Sequence, residues 1–249
     1  MMSGCKKVKT LYLLFILFIT FPFYSQASAY WMDVKGSGKV NEIVRIKVYY
    51  GNIQESGVRV PVKGSELMLT GEFRISVVDG NGQSTPIPIM LSADGWEGTF
   101  IPHQKGVYQI LGINDTHPVV DRSKLGGINV LPIDFLCAAY AVESSGSVQK
   151  PIQFLDIITE RREKQITVKA FKEGKPAKIN TKWRVFNPEN WEKELTVNEE
   201  GKAFFTATMQ GLYIIRQDWN DPKPGEYKGV SYSSIRYRCN YFLLIQTKK

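Results

Sequence analysis

After residue 30 the chain alternates apolar and polar residues in short runs, and no stretch keeps a helical apolar period over several turns. Alternation of this kind predicts β-strands with one buried face and one solvated face. The predicted strands include Val44–Tyr50, Phe73–Val77, Ile166–Ala170 and Trp183–Phe186. The pattern therefore predicts an all-β fold.

Turn-forming residues separate these strands. Asp79-Gly80-Asn81-Gly82 follows the second strand, and Glu173-Gly174-Lys175-Pro176 follows the third. Pro86 and Pro88 restrict their short segment to an edge strand or a loop, because proline cannot donate to a β-ladder. Tyr241–Ile245 is almost continuously apolar, which predicts a strand that is covered on both faces.

Two segments repeat one pattern. Lys105-Gly106-Val107-Tyr108 and Gln210-Gly211-Leu212-Tyr213 both place Gly-x-Tyr at the start of a strand. In an immunoglobulin-like sandwich, a tyrosine at this corner bonds back to the backbone of the turn. Gly-x-Tyr is also a common way to leave a turn, but its repetition favours duplication. We therefore predict two tandem immunoglobulin-like β-sandwich domains, residues 30–143 and 151–249, joined by a polar linker at 144–150.

The first 29 residues have the order of a cleavable signal peptide. Three lysines precede the apolar run Leu11–Ile19, and Ala27-Ser28-Ala29 forms a small-x-small cleavage site. A permanent membrane anchor is the alternative, but it needs roughly 20 apolar residues, and Pro22 interrupts this run. We therefore predict export to the periplasm or another extracytoplasmic space, with no transmembrane segment in the mature chain.

Composition narrows the classes of partner. The formal net charge of the whole chain is +8, and it falls to +5 without the peptide, which carries three lysines and no acid. No basic run follows a spacing that would track a phosphate backbone. Nucleic-acid binding is disfavoured, and the charges are typical of a solvated surface.

Cys137 and Cys239 remain after cleavage. In an oxidising compartment they can pair as a disulfide that would join the two halves. The alternative is two buried thiols on separate strands, since free cysteine is often a small core residue. The sequence leaves both readings open.

Catalytic motifs are missing from the sequence. It has no nucleophile elbow, no paired-histidine zinc motif, no phosphate-binding glycine loop and no paired-cysteine zinc spacing. We predict no catalytic residues and no enzyme activity. His117 with Asp115 and Asp121 is a candidate site for a divalent transition metal, although loops are rich in aspartate for turn geometry alone.

Aromatic residues suggest a binding surface. Trp219 and Tyr227 lie in the polar segment 218–227, and long polar loops of compact sandwiches are often binding loops. The alternative is that these aromatic side chains pack the loop onto its own domain.

The chain resembles the NikM-like family of bacterial periplasmic proteins, a domain of unknown function associated with nickel-type metal uptake. Seven segments across the mature chain carry the resemblance: Ala29–Val34, Gly38–Glu42, Val48–Asn52, Glu173–Ala177, Asn198–Ala203, Gln210–Tyr213 and Lys223–Tyr227. Most are turn motifs, so they indicate fold more than activity.

The resemblance implies a role in transition-metal uptake, with a membrane transporter or a TonB-dependent receptor as partner. In family members tied to metal uptake, a histidine at or next to the mature N-terminus is an expected metal ligand, and this chain has Tyr30 and Trp31 there. We expect a non-enzymatic binding or transport-accessory protein. The alternative is an envelope interaction or carbohydrate-binding module that uses the aromatic loop, and a hydrolase comes third.

Overall fold

The computed structural model describes residues 27–54, 56–148 and 150–246. Within these residues there are nineteen strands, one short α-helix and one 3-10 turn at Ser123–Leu125. In chain order the elements are β1 Ala27–Lys35, β2 Val44–Ile53, β3 Arg59–Pro61, α1 Ser65–Thr70, β4 Arg74–Val78, β5 Ser84–Ile87, β6 Met90–Leu91, β7 Trp96–Phe100, β8 Gly106–Asn114, β9 Val130–Val142, β10 Leu155–Arg162, β11 Gln165–Lys172, β12 Lys175–Pro176, β13 Lys182–Phe186, β14 Glu192–Thr196, β15 Ala203–Thr206, β16 Gly211–Asp221, β17 Gly225–Tyr227, β18 Val230–Tyr232 and β19 Ser234–Ile245.

Eight strands form one sheet, here called the middle sheet, in the order β14-β13-β16-β19-β9-β8-β4-β5. Its centre is a parallel pair in which β19, the last strand, runs beside β9 from the first half of the chain. The other pairs in this sheet are antiparallel. The two halves of the sequence therefore share a continuous hydrogen-bonded sheet.

Two smaller sheets cover the middle sheet. The first outer sheet contains β1, β2, β3, β6 and β7, and the second contains β10, β11, β12 and β15. Strands β17 and β18 form a separate hairpin. Strand β10 packs on both β9 and β19, and β1 also contacts both strands. The parallel pair thus lies beneath both outer sheets.

Alternate residues of the central strands enter two different cores, because successive side chains point to opposite sides of a sheet. On β9, Leu136 and Ala138 pack with the first outer sheet, whereas Phe135 and Cys137 pack with the second. Phe242 of β19 also packs with the first outer sheet. We call the core beneath the first outer sheet the first core and the core beneath the second outer sheet the second core. We call the two sides the first face and the second face of the middle sheet.

The all-β prediction is confirmed, and several local predictions hold with it. Pro86 lies in β5, which is an edge strand of the middle sheet. Tyr241–Ile245 forms the end of β19, where Tyr241 and Phe242 are buried on opposite faces. The strand is longer than predicted, because the charged residues before it also pair along β16.

Both Gly-x-Tyr segments form the backbone contact that the repetition predicts. The Tyr108 hydroxyl donates to the carbonyl oxygen of Gln104 at 2.9 Å. The Tyr213 hydroxyl accepts from the backbone N–H of Met209, also at 2.9 Å. Each tyrosine thus fixes the turn before its strand.

The segment predicted as a linker packs against the middle sheet. Val148 is buried, and the carbonyl oxygen of Lys150 accepts a hydrogen bond from the Gln109 side chain at 3.1 Å. Most of the predicted signal peptide lies outside the described residues, but Ala27–Ala29 opens β1 and pairs with Gly51–Ile53. Within the described ranges, no helix is long and apolar enough to cross a membrane.

Because β9 and β19 pair directly, we expect both halves to unfold in a single cooperative transition. Leu136 is fully buried on β9, so Leu136→Ala should lower the free energy of unfolding of the whole chain by about 2–5 kcal/mol. Scanning calorimetry and urea unfolding measure both quantities. Leu244→Ala, at a residue that is 39% exposed, serves as the control and should change the free energy by less than about 1 kcal/mol. Two resolved transitions, with only one shifted by Leu136→Ala, would contradict this expectation.

Candidate functional site

The second outer sheet leaves one end of the second face uncovered. The strand register places Trp219 of β16 opposite Tyr237 of β19, and Tyr237 opposite Ile133 of β9. These three side chains are only partly buried, although they pack against the second core. They form a row of apolar side chains across the sheet, perpendicular to the strands.

An open groove of about 350 Å³ lies beside this row. Its principal lining residues come from five different segments of the chain: Arg74, Ile113, Ile133, Phe135, Phe154 and Tyr237. Phe154 precedes β10 and closes one side of the groove. The volume is at the lower end of the range of small-molecule sites, roughly 300–1,000 Å³.

Aromatic rings form a continuous contact chain along one side of the groove. The centroid of the Phe154 ring lies 4.7 Å from that of Tyr237, 5.8 Å from that of Trp219 and 6.3 Å from that of Phe135. The Trp219 and Tyr237 centroids are 5.1 Å apart. Such contacts hold the rings in fixed orientations, so the groove is pre-formed.

Polar groups stand at the groove's rim. The Arg74 guanidinium donates two hydrogen bonds to the Asp115 carboxylate, at 2.8 and 3.0 Å. This pairing lowers the pKa of Asp115 and raises that of Arg74. Gln153 donates from its side chain to the carbonyl oxygen of Leu136 at 3.1 Å. The groove therefore has hydrogen-bonding groups of Arg74, Asp115 and Gln153 at its rim and apolar side chains at its floor.

The structure does not gather the three residues predicted to bind a metal. Asp115 is held by Arg74, and Asp121 accepts a hydrogen bond from the backbone N–H of Ser123 at 2.9 Å. The Nδ1 atom of His117 lies 2.7 Å from the carbonyl oxygen of Pro118. Across the described residues, no three His, Cys, Asp or Glu side chains form a group that would hold a metal ion.

The predicted aromatic loop is mostly strand. Trp219 lies in β16, and Tyr227 lies in β17 after a three-residue connection. The Tyr227 hydroxyl donates to the carbonyl oxygen of Thr116 at 3.4 Å, so this ring holds the hairpin against the first half of the chain. The prediction of a long loop was wrong because residues 217–221 continue the pairing of β16 with β19, with Trp219 on the second face and Asp218 and Asn220 on the charged first face.

Phe154 and Ile133 were not predicted as groove residues. Both lie in ordinary apolar surroundings and belong to segments far apart in the chain. Only the parallel register of β9 and β19 brings Ile133 beside Tyr237. The only local signal was a phenylalanine that closely follows the predicted polar linker.

On the first face, the same end of the middle sheet is charged. Asp218 accepts hydrogen bonds from Arg238 at 2.6 Å and from Arg184 at 2.5 Å. The carboxylate of Asp134, which is buried, lies 3.4 Å from the Arg236 guanidinium. Burial raises the pKa of Asp134 against the opposing effect of Arg236. Burial and the nearby Asp134 also raise the pKa of Tyr30.

The two cysteines come together in the second core without being joined. Their sulfur atoms are 3.4 Å apart, and both thiols are free and buried. Burial raises both pKa values. Cys137 pairs with Tyr241 and Cys239 pairs with Phe135, so the cysteines are offset by two residues along the parallel strands. That offset separates their Cα atoms by about 8 Å, beyond the usual limit of about 6.8 Å for a disulfide.

No protein-family model matches the chain, and no curated protein matches it significantly.

Asp134 should make the stability depend on pH in a defined direction. Its raised folded-state pKa means that its contribution is fully present below the unfolded-state pKa of about 3.9 and is lost as the pH rises through the folded-state value. The stability of the wild type relative to Asp134→Asn should therefore fall between about pH 4 and neutrality. Urea unfolding over this range measures the difference. Asp115→Asn is the control of opposite sign, because the pKa of Asp115 is lowered; a rising difference for Asp134→Asn would contradict the assignment.

Cys137 and Cys239 should remain thiols even after exposure to glutathione disulfide, because their backbone offset resists bonding. After oxidant treatment, the protein is unfolded in urea in the presence of iodoacetamide, which alkylates free thiols. Mass spectrometry should then find one label on each tryptic peptide that carries either residue. The native protein should take up neither label, since the thiols are buried. A cross-linked peptide pair would overturn this prediction.

Proposed function

We propose that the protein is an extracytoplasmic, non-enzymatic binding protein that takes a saccharide chain into the groove. The observation that carries this proposal is the partly buried pair of Tyr237 and Ile133, which line an open groove on the second face of the middle sheet. An apolar surface left open beside a fixed aromatic cluster is typical of a binding site.

A saccharide suits both parts of the groove. One face of a pyranose ring presents C–H groups that pack on apolar and aromatic side chains, while its hydroxyls point outward and need hydrogen-bond partners. Tyr237 and Phe154 supply the aromatic side, and Arg74, Asp115 and Gln153 supply donors and acceptors at the rim.

The predicted export, periplasmic location and division into two immunoglobulin-like domains belong to this proposal. The matching tyrosine contacts of Tyr108 and Tyr213 support the duplication. The role in transition-metal uptake, with a membrane transporter or a TonB-dependent receptor as partner, stays a prediction from the family resemblance.

The test is binding to a panel of soluble β-glucan, xylan, mannan and polygalacturonate, measured by affinity electrophoresis and calorimetric titration. Tyr237→Leu and Phe154→Leu remove an aromatic ring but keep apolar bulk, so we expect each to weaken binding roughly tenfold without unfolding the protein. Trp191→Leu is the control, because Trp191 is 73% exposed and lies outside the groove.

Binding to no member of the panel would overturn the proposal, and so would an equal loss of affinity in Trp191→Leu. Release of new reducing ends from a bound polysaccharide would contradict its non-enzymatic part.

A further inference from the structure

One lysine beside the groove differs from the others in its surroundings. Four of the lysines whose side chains are described are half-buried. In three of them the ammonium has a carboxylate partner: Lys47 with Asp94 at 2.5 Å, Lys169 with Glu160 at 2.6 Å, and Lys202 with Glu200 at 2.7 Å. Within the described part of the chain, Lys172 is the only half-buried lysine with no carboxylate within 4 Å of its ammonium.

Lys172 lies against the aromatic rings of Trp219 and Phe154 instead. Its ammonium nitrogen is 3.5 Å from the centroid of the Trp219 ring and 5.7 Å from that of Phe154, which lines the groove. The position is fixed by the backbone, because Glu173 N–H donates to the carbonyl oxygen of Phe154 at 2.7 Å. The cation therefore lies beside Phe154, whose ring lines the aromatic side of the groove.

Cation–π contacts of this kind compensate only part of the lost hydration, at about 0.5–2 kcal/mol each. Desolvation of an unpaired ammonium is unfavourable, so lysines whose ammonium loses its hydration are normally paired. An anionic group that entered the groove beside Lys172 would supply the missing partner without requiring the protein to rearrange.

The other charges near the groove define where that anion lies. Arg74, at the opposite end, is already paired with Asp115. The carboxylates of Asp221 and Glu173 lie near the Tyr237 hydroxyl, and with burial as the larger cause they raise its pKa. Lys172, which has no carboxylate of a described residue within 4 Å and lies beside Phe154, is therefore the favourable position for the anion.

From this arrangement we infer that the ligand of the groove is an acidic saccharide, a uronic acid polymer, whose carboxylate pairs with Lys172 while its sugar ring packs on the aromatic side of the groove. The inference rests on the proposed function and names its substrate class. Lys172 is then the residue that distinguishes acidic from neutral chains.

The experiment compares polygalacturonate and alginate with their carboxyl-reduced, neutral counterparts, using calorimetric titration of the full chain at low and high salt. The wild type should bind the acidic forms roughly tenfold more tightly at low salt, and the preference should shrink as the salt concentration rises. Lys172→Gln should abolish the preference, and Lys172→Arg should retain most of it. Lys178→Gln removes the same charge from an exposed lysine and should keep the preference.

Equal affinity of the wild type for acidic and reduced polymers would overturn the inference and leave the proposed function standing. An equal effect of Lys172→Gln and Lys178→Gln would do the same, because it would reduce the preference to net charge. Failure to bind any saccharide, neutral or acidic, would overturn the proposed function itself.

Discussion

The parallel pairing of β9 with β19 is the constraint on which the rest of the structure depends. It joins strands that are about a hundred residues apart in sequence, and such non-local contacts carry a high loop-closure entropy. Parallel strands are normally buried on both faces, and here the two outer sheets supply that cover. Leu136 and Phe242 pack on one side of the pair, and Cys137 and Tyr241 pack on the other.

The cover ends before the strands do, and the two faces then differ. On the first face the strand ends carry ion pairs, with Asp218 between Arg184 and Arg238. These groups are satisfied by one another and by solvent. On the second face the same strand ends carry Trp219, Tyr237 and Ile133. Their apolar surfaces cannot be satisfied by ion pairs or by hydrogen bonds to water. The charged side chains of the first face explain why the segment 218–227 has a polar sequence. The apolar side chains of the second face explain why a groove forms on the opposite side of the sheet.

Local patterns were enough to predict β2, β4, β11 and β13, the turns after β4 and β11, and the two tyrosine contacts, because each depends on residues within a few positions of one another. The edge position of β5 also follows from Pro86 alone. The pairing of β9 with β19 could not be predicted, since nothing in the sequence near Ile133 specifies Tyr237 as its neighbour. The same limit applies to the two cysteines. The sequence shows that two cysteines are present, but it does not show whether they can bond. Only the two-residue offset on β9 and β19 shows that their sulfur atoms are close together without favourable disulfide geometry.

An uncovered apolar surface on a β protein invites self-association, so its persistence needs a physical reason. The two edges of the middle sheet are protected: β5 carries Pro86, and β14 carries Glu192, Lys193 and Glu194. Strand addition is therefore disfavoured at both edges. At the groove, the Arg74–Asp115 pair and Lys172 place charges at opposite ends of a narrow apolar strip. A flat hydrophobic partner would have to desolvate these charges, whereas a chain of hydroxylated rings can pack on the strip and hydrogen-bond to its rim. The same charges that oppose aggregation thus favour a polar, extended ligand.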